Sequence, residues 1–350
     1  MNHPREMTQK AKLSLVAGGI LLPICLIYFI YQNLLDRYTQ STFNFADLTF
    51  AYEHQVIRET DGSREDVVIL GDSTGKSALN PEELHSTTSI NLATNVGNAL
   101  SSFYIMNGYL RHHPAPQCFV LSFQYNWKHS YQHFFEWMPY YDVLSLSDLV
   151  SVWSRSVGKD FFPADRMGFF PYLAKSLMSY LRLNDLHLAE LQSALGRQVE
   201  FSADEVRSRF IAEKGFQDNS VRRHLAGEDF FNLDFHIPYF KNFEASPAED
   251  YYLQQMAELT RAHHANLLIV ATPAAESEEA TRSSAFFSGR HEHLQKIFAG
   301  KADVEVFNEE PVRPRSEYFD FTHMNREGAL AFSRRLDLEL AKRCLGRKAI

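Results

Sequence analysis

The sequence has neither the excess of basic residues that is typical of nucleic-acid-binding proteins nor low-complexity segments. Its 35 Lys and Arg residues are outnumbered by 43 Asp and Glu residues, which gives a net charge of -8 at pH 7. Duplex binding requires concentrated positive charge, and the basic residues here are scattered, so we expect no nucleic-acid partner. No internal repeat is evident. With 45% hydrophobic and 22% charged residues, the chain has the composition of a folded globular protein.

Cysteine is equally scarce. The three cysteines, Cys25, Cys118 and Cys344, lie far apart and match no metal-binding or redox spacing. We therefore expect buried, unreactive thiols and a fold that does not depend on disulfides. The histidines of His291-Glu-His293 have no third ligand nearby in the sequence, so we assign no metal site, and we expect no cofactor.

One long hydrophobic run is present, near the N-terminus. Residues 13–35, LSLVAGGILLPICLIYFIYQNLL, contain no charged residue, and a bilayer is crossed by about 20 apolar residues. Arg5, Lys10 and Lys12 precede the run, so the positive-inside rule places residues 1–12 in the cytoplasm. The run is too long for a signal-peptide core and lacks a small-x-small cleavage motif after it. We predict a retained single-pass anchor in the cytoplasmic membrane, with the main domain periplasmic or extracellular.

After a predicted polar stalk, residues 36–64, short apolar runs alternate with amphipathic segments. Short continuous apolar runs are typical of parallel strands covered on both faces. Their alternation with helices predicts an α/β fold with a parallel sheet, spanning residues 65–345. We predict strands at 67–70, 89–93, 118–123, 266–271 and 304–307, and helices at 99–111, 246–262 and 327–340.

Residues 129–240 interrupt this alternation. The segment is rich in aromatic residues and mostly helical in its pattern, which predicts an insertion into the α/β domain. Two interpretations stay open. The insertion is either a helical subdomain with an ordinary core, or a surface that lies on the membrane or on a membrane partner.

The segment VVILGDSTGKS, residues 67–77, is compatible with two unrelated functions. A phosphate-binding P-loop has four residues between its first glycine and Gly-Lys-Ser, which would require glycine at position 70. Leu70 stands there and the glycine is Gly71, so the loop is one residue short. The predicted topology also places it where ATP and GTP are scarce, and we expect no nucleotide. The alternative is that Ser73, at a strand-to-helix turn, acts as a nucleophile.

A serine nucleophile needs a base to accept its proton and a third group to hold that base. Asp320-Phe-Thr-His323, ahead of the last predicted helix, is the candidate for both. At this spacing one turn of chain can present the carboxylate and the imidazole together. Asp320 could then select the tautomer of His323.

These motifs resemble the SGNH (GDSL-type) hydrolase superfamily. The resemblance rests on Gly71-Asp72-Ser73 after an apolar strand and on Asp320-x-x-His323 before the last helix. Gly97, in NLATNVGNA, matches the family's glycine after the second strand. Asn126, in SFQYNWKH, matches its asparagine after the third.

The resemblance implies an SGNH-type three-layer sandwich with a parallel sheet. It also implies that Ser73 is the nucleophile, His323 the base and Asp320 the acid that orients it. The amides of Ser73 and Gly97 and the side chain of Asn126 would form the oxyanion hole. Such donors stabilise charge that develops in the transition state, at roughly 3–4 kcal/mol each.

Together with the predicted anchor, these motifs resemble DltD-type proteins and related cell-envelope O-acylation factors. This resemblance implies a serine-dependent acyltransferase or esterase that acts on a cell-envelope polysaccharide, by O-acetylation or D-alanylation. It implies a polysaccharide or teichoic-acid-like acceptor and a polytopic membrane-bound O-acyltransferase as partner. Two alternatives remain: a free-standing envelope esterase or lipase, and a non-catalytic assembly subunit. Gln124 and Trp127, which replace a glycine and an aspartate of the family's third block, favour the last.

Overall fold

The computed structural model describes the larger part of the predicted α/β domain. Within this part, no helix is long and apolar enough to cross a membrane. The predicted tail and anchor, residues 1–12 and 13–35, lie outside the described residues, as does Asn126. The described residues are 45–58, 64–95, 97–123, 131–156, 169–181, 208, 210–218, 243–276, 284–307 and 312–345.

A five-stranded parallel sheet forms the centre of the structure. The strands are β1 (Val67–Gly71), β2 (Ser89–Asn91), β3 (Cys118–Ser122), β4 (Asn266–Val270), β5 (Ala274–Ala275), β6 (Val304–Phe307) and β7 (Val312–Arg313). The sheet has the order β2-β1-β3-β4-β6, and β5 pairs with β7 in a separate parallel pair. Each strand of the large sheet runs parallel to its neighbours. The predicted α/β fold with a parallel sheet is confirmed.

Helices cover both faces of this sheet. They are α1 (Phe45–Arg58), α2 (Ser73–Ala78), α3 (Ala99–His112), α4 (Gln132–Tyr140), α5 (Leu146–Ser156), α6 (Phe169–Tyr180), α7 (Pro247–Ala262), α8 (Ser284–Ile297) and α9 (Arg326–Leu340). Successive strand residues point to opposite faces. Accordingly, Val68 and Leu70 pack in a core with residues of α1, α3, α4, α5 and α7. Val67 and Ile69 pack in a second core with residues of α2 and α9.

The strand order identifies the edge of the sheet where a site is expected. From β1 the chain moves to one side to form β2, and then returns to the other side to form β3. Ligands of open α/β sheets bind at the carboxyl ends of the strands, where the order reverses in this way. In this sheet that point lies beyond Gly71 and Ser122, which are register partners at the ends of β1 and β3.

Part of the predicted polar stalk is instead a helix of the domain. Residues 45–58 form α1, and Phe50, Tyr52 and Ile57 are buried in the core that contains α3. The assignment of residues 45–58 to a stalk was therefore wrong. The helix is amphipathic: Gln55 and Arg58 are exposed, whereas the buried side includes the polar residues Thr49 and Glu53 as well as the apolar ones.

The described part of the predicted insertion, residues 129–240, contains α4, α5 and α6. Phe134, Phe135 and Tyr172 are buried in the same core as the sheet, as the interpretation of an ordinary core expects. Helices α5 and α6 also expose large apolar side chains, among them Val150 and Met178. The boundaries of the insertion and its membrane-facing role stay predictions.

Cys118 and Cys344 form a disulfide that joins β3 to the turn after α9. The expectation of unpaired thiols was wrong. The two cysteines are 226 residues apart in the chain, and they meet because α9 packs on the face of the sheet toward which Cys118 points. The side-chain amide of Asn266 on β4 donates to the carbonyl of Cys344 at 2.7 Å and holds the same turn.

Candidate active site

Ser73, His323 and Asp320 form a continuous chain of hydrogen bonds at the carboxyl end of β1. Nε2 of His323 lies 2.9 Å from Oγ of Ser73. Nδ1 of the same ring lies 2.8 Å from Oδ2 of Asp320. The two sequence motifs, which are 250 residues apart, therefore meet as the resemblance implies. This arrangement allows His323 to accept the serine proton while Asp320 holds the imidazole in the required tautomer.

The local sequence around Ser73 explains how its side chain is presented. Gly71 ends β1 with φ +146°, and a Cβ atom there would overlap the carbonyl of Ser122 on β3, so a side chain at this position is excluded. Asp72 is the N-cap of α2, and its Oδ1 accepts the amide hydrogens of Thr74 and Gly75 at 2.8 and 3.3 Å. This cap fixes the start of the helix. Ser73 is its first residue and is partly exposed.

The loop that carries Asp320 and His323 is a turn closed by the aspartate itself. Oδ1 of Asp320 accepts the backbone N–H groups of Thr322 and His323, both at 2.8 Å. The amide of Phe319 donates to the carbonyl of His323 at 2.8 Å. The two oxygens of one carboxylate thus hold the backbone of the turn and the imidazole at once. The Asp-x-x-His spacing is therefore sufficient to place the carboxylate of Asp320 against the imidazole of His323.

The charge of Asp320 is stabilised by these same contacts. Burial of the carboxyl favours its protonated form, but the imidazole of His323 and the hydrogen bonds from Thr322 and His323 outweigh burial and lower the pKa of Asp320 to about 2. At neutral pH Asp320 is therefore ionised. An ionised partner at Nδ1 leaves Nε2 of His323 as the atom that accepts a proton from Ser73.

Gly97, a predicted oxyanion donor, lies beside the end of β1. A Cβ atom on Gly97 would overlap the carbonyl oxygen of Gly71, so this close approach requires glycine. The amide of Gly97 makes a long contact, 3.4 Å, with the carbonyl of Thr94. Asn126, the third predicted donor, lies outside the described residues. It stays a prediction that Ser73, Gly97 and Asn126 form an oxyanion hole.

Lys76, of the Gly-Lys-Ser sequence, faces the protein interior. Its side chain is fully buried, and Nζ donates to Oγ1 of Thr49 on α1. The same nitrogen lies 3.4 Å from Oδ1 of Asn95 and 5.4 Å from the ring centre of Phe210. Lys76 thus joins α2 to α1 and to the turn that precedes Gly97. It is not presented as the lysine of a phosphate-binding loop is.

Thr272 contributes to the site and was not identified from the sequence. Oγ1 of Thr74 donates to Oδ1 of Asp72 at 2.6 Å. Oγ1 of Thr272 lies 2.8 Å from Oγ1 of Thr74. Thr272, which follows β4, is thereby tied to the turn that carries Ser73. Its position just past a predicted strand end was the available signal, since parallel strands end at one edge of the sheet.

Glu249, in the first turn of α7, is a second residue that the sequence analysis missed. It is buried, its Oε2 accepts the amide of Ala99 at 2.8 Å, and its Oε1 accepts the hydroxyl of Tyr131 at 2.9 Å. Burial raises the pKa of Glu249 to about 7, although these hydrogen bonds oppose the rise, and the charge of Asp72 adds to it. In sequence it resembles an ordinary acidic residue at a helix start, and only its burial distinguishes it.

Within the described part of the chain, no group of three His, Cys, Asp or Glu side chains is placed to hold a metal ion. His293 instead pairs with Asp250, with Nε2 at 2.8 Å from Oδ1. No protein-family model matches this chain, and no curated protein matches it. The evidence for the chemistry of the site is therefore its geometry.

Proposed function

We propose that this protein is a membrane-anchored, serine-dependent acyltransferase or esterase of the SGNH type that acts on a cell-envelope polysaccharide. The observation that carries the proposal is the hydrogen-bonded chain from Oγ of Ser73 through His323 to Asp320. A serine with a base at 2.9 Å, and a base held by an ionised acid, is the arrangement that activates a hydroxyl for acyl transfer.

The reaction proceeds in two halves. In the first, Oγ of Ser73 attacks the carbonyl carbon of an acyl ester or thioester, and His323 takes the serine proton. The tetrahedral intermediate collapses, its bond to the leaving group breaks, and His323 protonates that group. In the second half, a hydroxyl of the glycan or a water molecule attacks acyl-Ser73 with His323 again as base. Ser73 leaves with the proton, and the product is an acylated glycan or a free acid.

Two features support a location outside the cytoplasm. Residues 13–35 have the length and charge flanks of a membrane anchor whose C-terminal side faces outward. Cys118 and Cys344 are joined in a disulfide, and disulfides persist in oxidising compartments such as the periplasm and the cell surface. An envelope polysaccharide is the acceptor that such a location favours. A polytopic membrane-bound O-acyltransferase is the partner proposed to supply the acyl group.

Trapping of the acyl-enzyme tests this function. The purified full chain is incubated briefly with 4-nitrophenyl acetate, and its intact mass is measured. We expect a species heavier by one acetyl group, located on the peptide that contains Ser73, and absent from the Ser73→Ala variant. A chase with envelope polysaccharide then separates the two reactions, since a transferase loses the acetyl group to glycan faster than to water.

The non-catalytic alternative makes the opposite prediction in cells. If cells that carry Ser73→Ala still acylate their envelope polymer fully, the chain acts by assembly and the catalytic proposal fails. The matched control is Ser154→Ala, at an exposed serine whose hydroxyl donates to the carbonyl of Ser151 in its own helix. Both variants must be present in the membrane at equal amounts for the comparison to count.

A further inference from the structure

Arg290 on α8 is a buried cation held against two aromatic rings. The residue is 3% exposed, and its Cζ lies 5.8 Å and 5.4 Å from the ring centres of Phe286 and Phe287. These residues share one face of the helix, because positions three and four apart are neighbours. The rings stabilise the positive charge through cation–π attraction. They supply no hydrogen-bond acceptor in the plane of the guanidinium.

No described residue forms an ion pair or a hydrogen bond with the guanidinium of Arg290. Arg313, which is 6% exposed, provides the comparison, since its Nε lies 2.5 Å from Oε2 of Glu317. More exposed arginines such as Arg326 also contact carboxylates. A buried charge without a partner is costly, and buried arginines are normally paired. Arg290 is an exception, because none of the described residues supplies a hydrogen-bonded or ion-paired partner for its guanidinium.

The aromatic neighbours of Arg290 connect it to the loop that carries Asp320 and His323. Phe286 and Phe287 pack with Ala274 of β5, and the next residue, Ala275, donates its amide to the carbonyl of Phe321 at 3.1 Å. Phe321 lies between Asp320 and His323. The aromatic cluster under Arg290 therefore borders the strand that supports the catalytic loop.

Electrostatics link Arg290 to the nucleophile turn as well. Burial lowers the pKa of Arg290 to about 10, and the carboxylate of Asp72, the residue before Ser73, opposes this shift. The guanidinium thus stays charged at neutral pH. The effect of Asp72 acts through space, since no hydrogen bond joins the two side chains, and Oδ1 of Asp72 accepts from Thr74 and Gly75. The N–H donors of the guanidinium remain for another acceptor.

We propose that Arg290 binds an anionic group of the substrate next to the ester that Ser73 attacks. A planar guanidinium with paired N–H donors matches the two oxygens of a carboxylate or of a phosphate. The inference rests on the proposed function and narrows it, because the polysaccharide would be acidic, with either uronic-acid carboxylates or phosphodiesters. Either oxyanion supplies the hydrogen-bond acceptors that no described residue provides for the guanidinium, and the experiment distinguishes the two sources.

Binding to the full chain with Ser73→Ala, which prevents turnover, tests the proposal. The probes are a uronic-acid tetrasaccharide, a glycerol phosphate tetramer and maltotetraose, measured by calorimetric titration. We expect one of the anionic probes to bind saturably and at least tenfold more tightly than maltotetraose, and its identity gives the source of the anion. Adding Arg290→Gln should weaken that binding at least tenfold, whereas Arg261→Gln, at an exposed arginine paired with Asp303, should not change it.

The variant Arg290→Lys controls for misfolding of Arg290→Gln, because lysine keeps the buried positive charge but lacks the planar, paired N–H donors of the guanidinium. It should bind the anionic probe more weakly than wild type and more tightly than Arg290→Gln. If neither anionic probe binds, or if binding is unchanged in both Arg290 variants, the proposal is overturned. Because no turnover is involved, its outcome is separate from the proposed function. Anion binding by a protein whose Ser73 is unreactive would contradict the catalytic proposal alone. A reactive Ser73 in a protein that binds neither anionic probe would contradict only the proposed anion site at Arg290.

Discussion

Nε2 of His323 lies 2.9 Å from Oγ of Ser73, although 250 residues separate them in the chain. The contact depends on the packing of α9 against α2. Oγ of Ser333 on α9 donates to the carbonyl of Ala78 at 3.2 Å and accepts the amide of Asn80 at 2.8 Å. The helix that begins at Ser73 and the helix that follows His323 are thus bonded to each other, so Ser73 and His323 are held at a fixed separation.

Replacing Ser73 with alanine should remove the proposed esterase or transferase activity and leave the fold intact. The side chain is partly exposed and forms a hydrogen bond with His323, so its removal creates no cavity in the core. We expect kcat to fall by at least about 10³-fold, as for serine enzymes that lose their nucleophile. Initial rates with 4-nitrophenyl acetate measure the effect, and an unchanged thermal unfolding curve shows that the loss is chemical.

Replacing Asp320 with asparagine should lower kcat by about 10²- to 10⁴-fold. The amide cannot stabilise the imidazolium of His323, and it can favour the wrong tautomer. Because the pKa of Asp320 is about 2, wild type should show no loss of activity from protonation of Asp320 at mildly acidic pH. A pH–rate profile whose acidic limb is abolished by Asp320→Asn would contradict this assignment. Asp303→Asn, at a carboxylate that pairs with Arg261, is the matched control.

Glu249 should make the stability of the domain depend on pH below neutrality. Its pKa in the folded protein is raised from 4.5 to about 7, so the folded state binds the proton more tightly than the unfolded state. The stabilisation is complete below pH 4.5 and is lost as pH rises to about 7, by on the order of 3 kcal/mol. Urea unfolding at several pH values should show this decline in wild type.

The variant Glu249→Gln should lack that part of the pH dependence, because its side chain does not titrate. Glu258→Gln, on the exposed side of the same helix, should behave as wild type. If Glu249→Gln shows the same decline between pH 4.5 and 7 as wild type, other groups are responsible.

The disulfide predicts a specific count of free thiols. The chain has three cysteines, and Cys118 and Cys344 are bonded to each other, so unfolding without reductant should expose one reactive thiol and unfolding with reductant should expose three. Cys344→Ser should lower the free energy of unfolding by about 2–4 kcal/mol. Protein made in a reducing cytosol should resemble that variant. Three free thiols in protein isolated from the cells that make it would contradict the disulfide and weaken the proposed location.

Gly97→Ala should impair the fold and the activity together. Its Cβ would overlap the backbone carbonyl of Gly71, and backbone at the end of β1 cannot yield without moving Ser73. We expect a loss of about 1–3 kcal/mol in the free energy of unfolding, with a fall in kcat. The control is Gly108→Ala in α3, where the Cβ would meet only the side chain of Ile57, 3.2 Å away. Alanine favours helix there, so little or no loss is expected.

Much of the fold could be predicted because its signals are local. The apolar runs at residues 67–70 and 304–307 differ from β1 and β6 by at most one residue at an end. The predicted helix at 246–262 is α7 with Ser246 as its N-cap. Helix α1 was missed because its buried residues are separated by polar ones. Its amphipathic pattern has meaning only once α3 is known to lie against it.

Local patterns in the sequence were enough to locate the strands of the large sheet and the helices α3, α7 and α9, and to place Ser73 and the pair Asp320 and His323 at the ends of such elements. Periodicity, caps and tight turns are properties of residues close together in the chain, and they can be predicted without the fold. The tertiary structure was needed to show that Ser73 meets His323, that Cys118 meets Cys344, and that Arg290 is buried without an ion pair to any described residue. These are relations between distant segments, and the packing of helices on the sheet sets the distances between them.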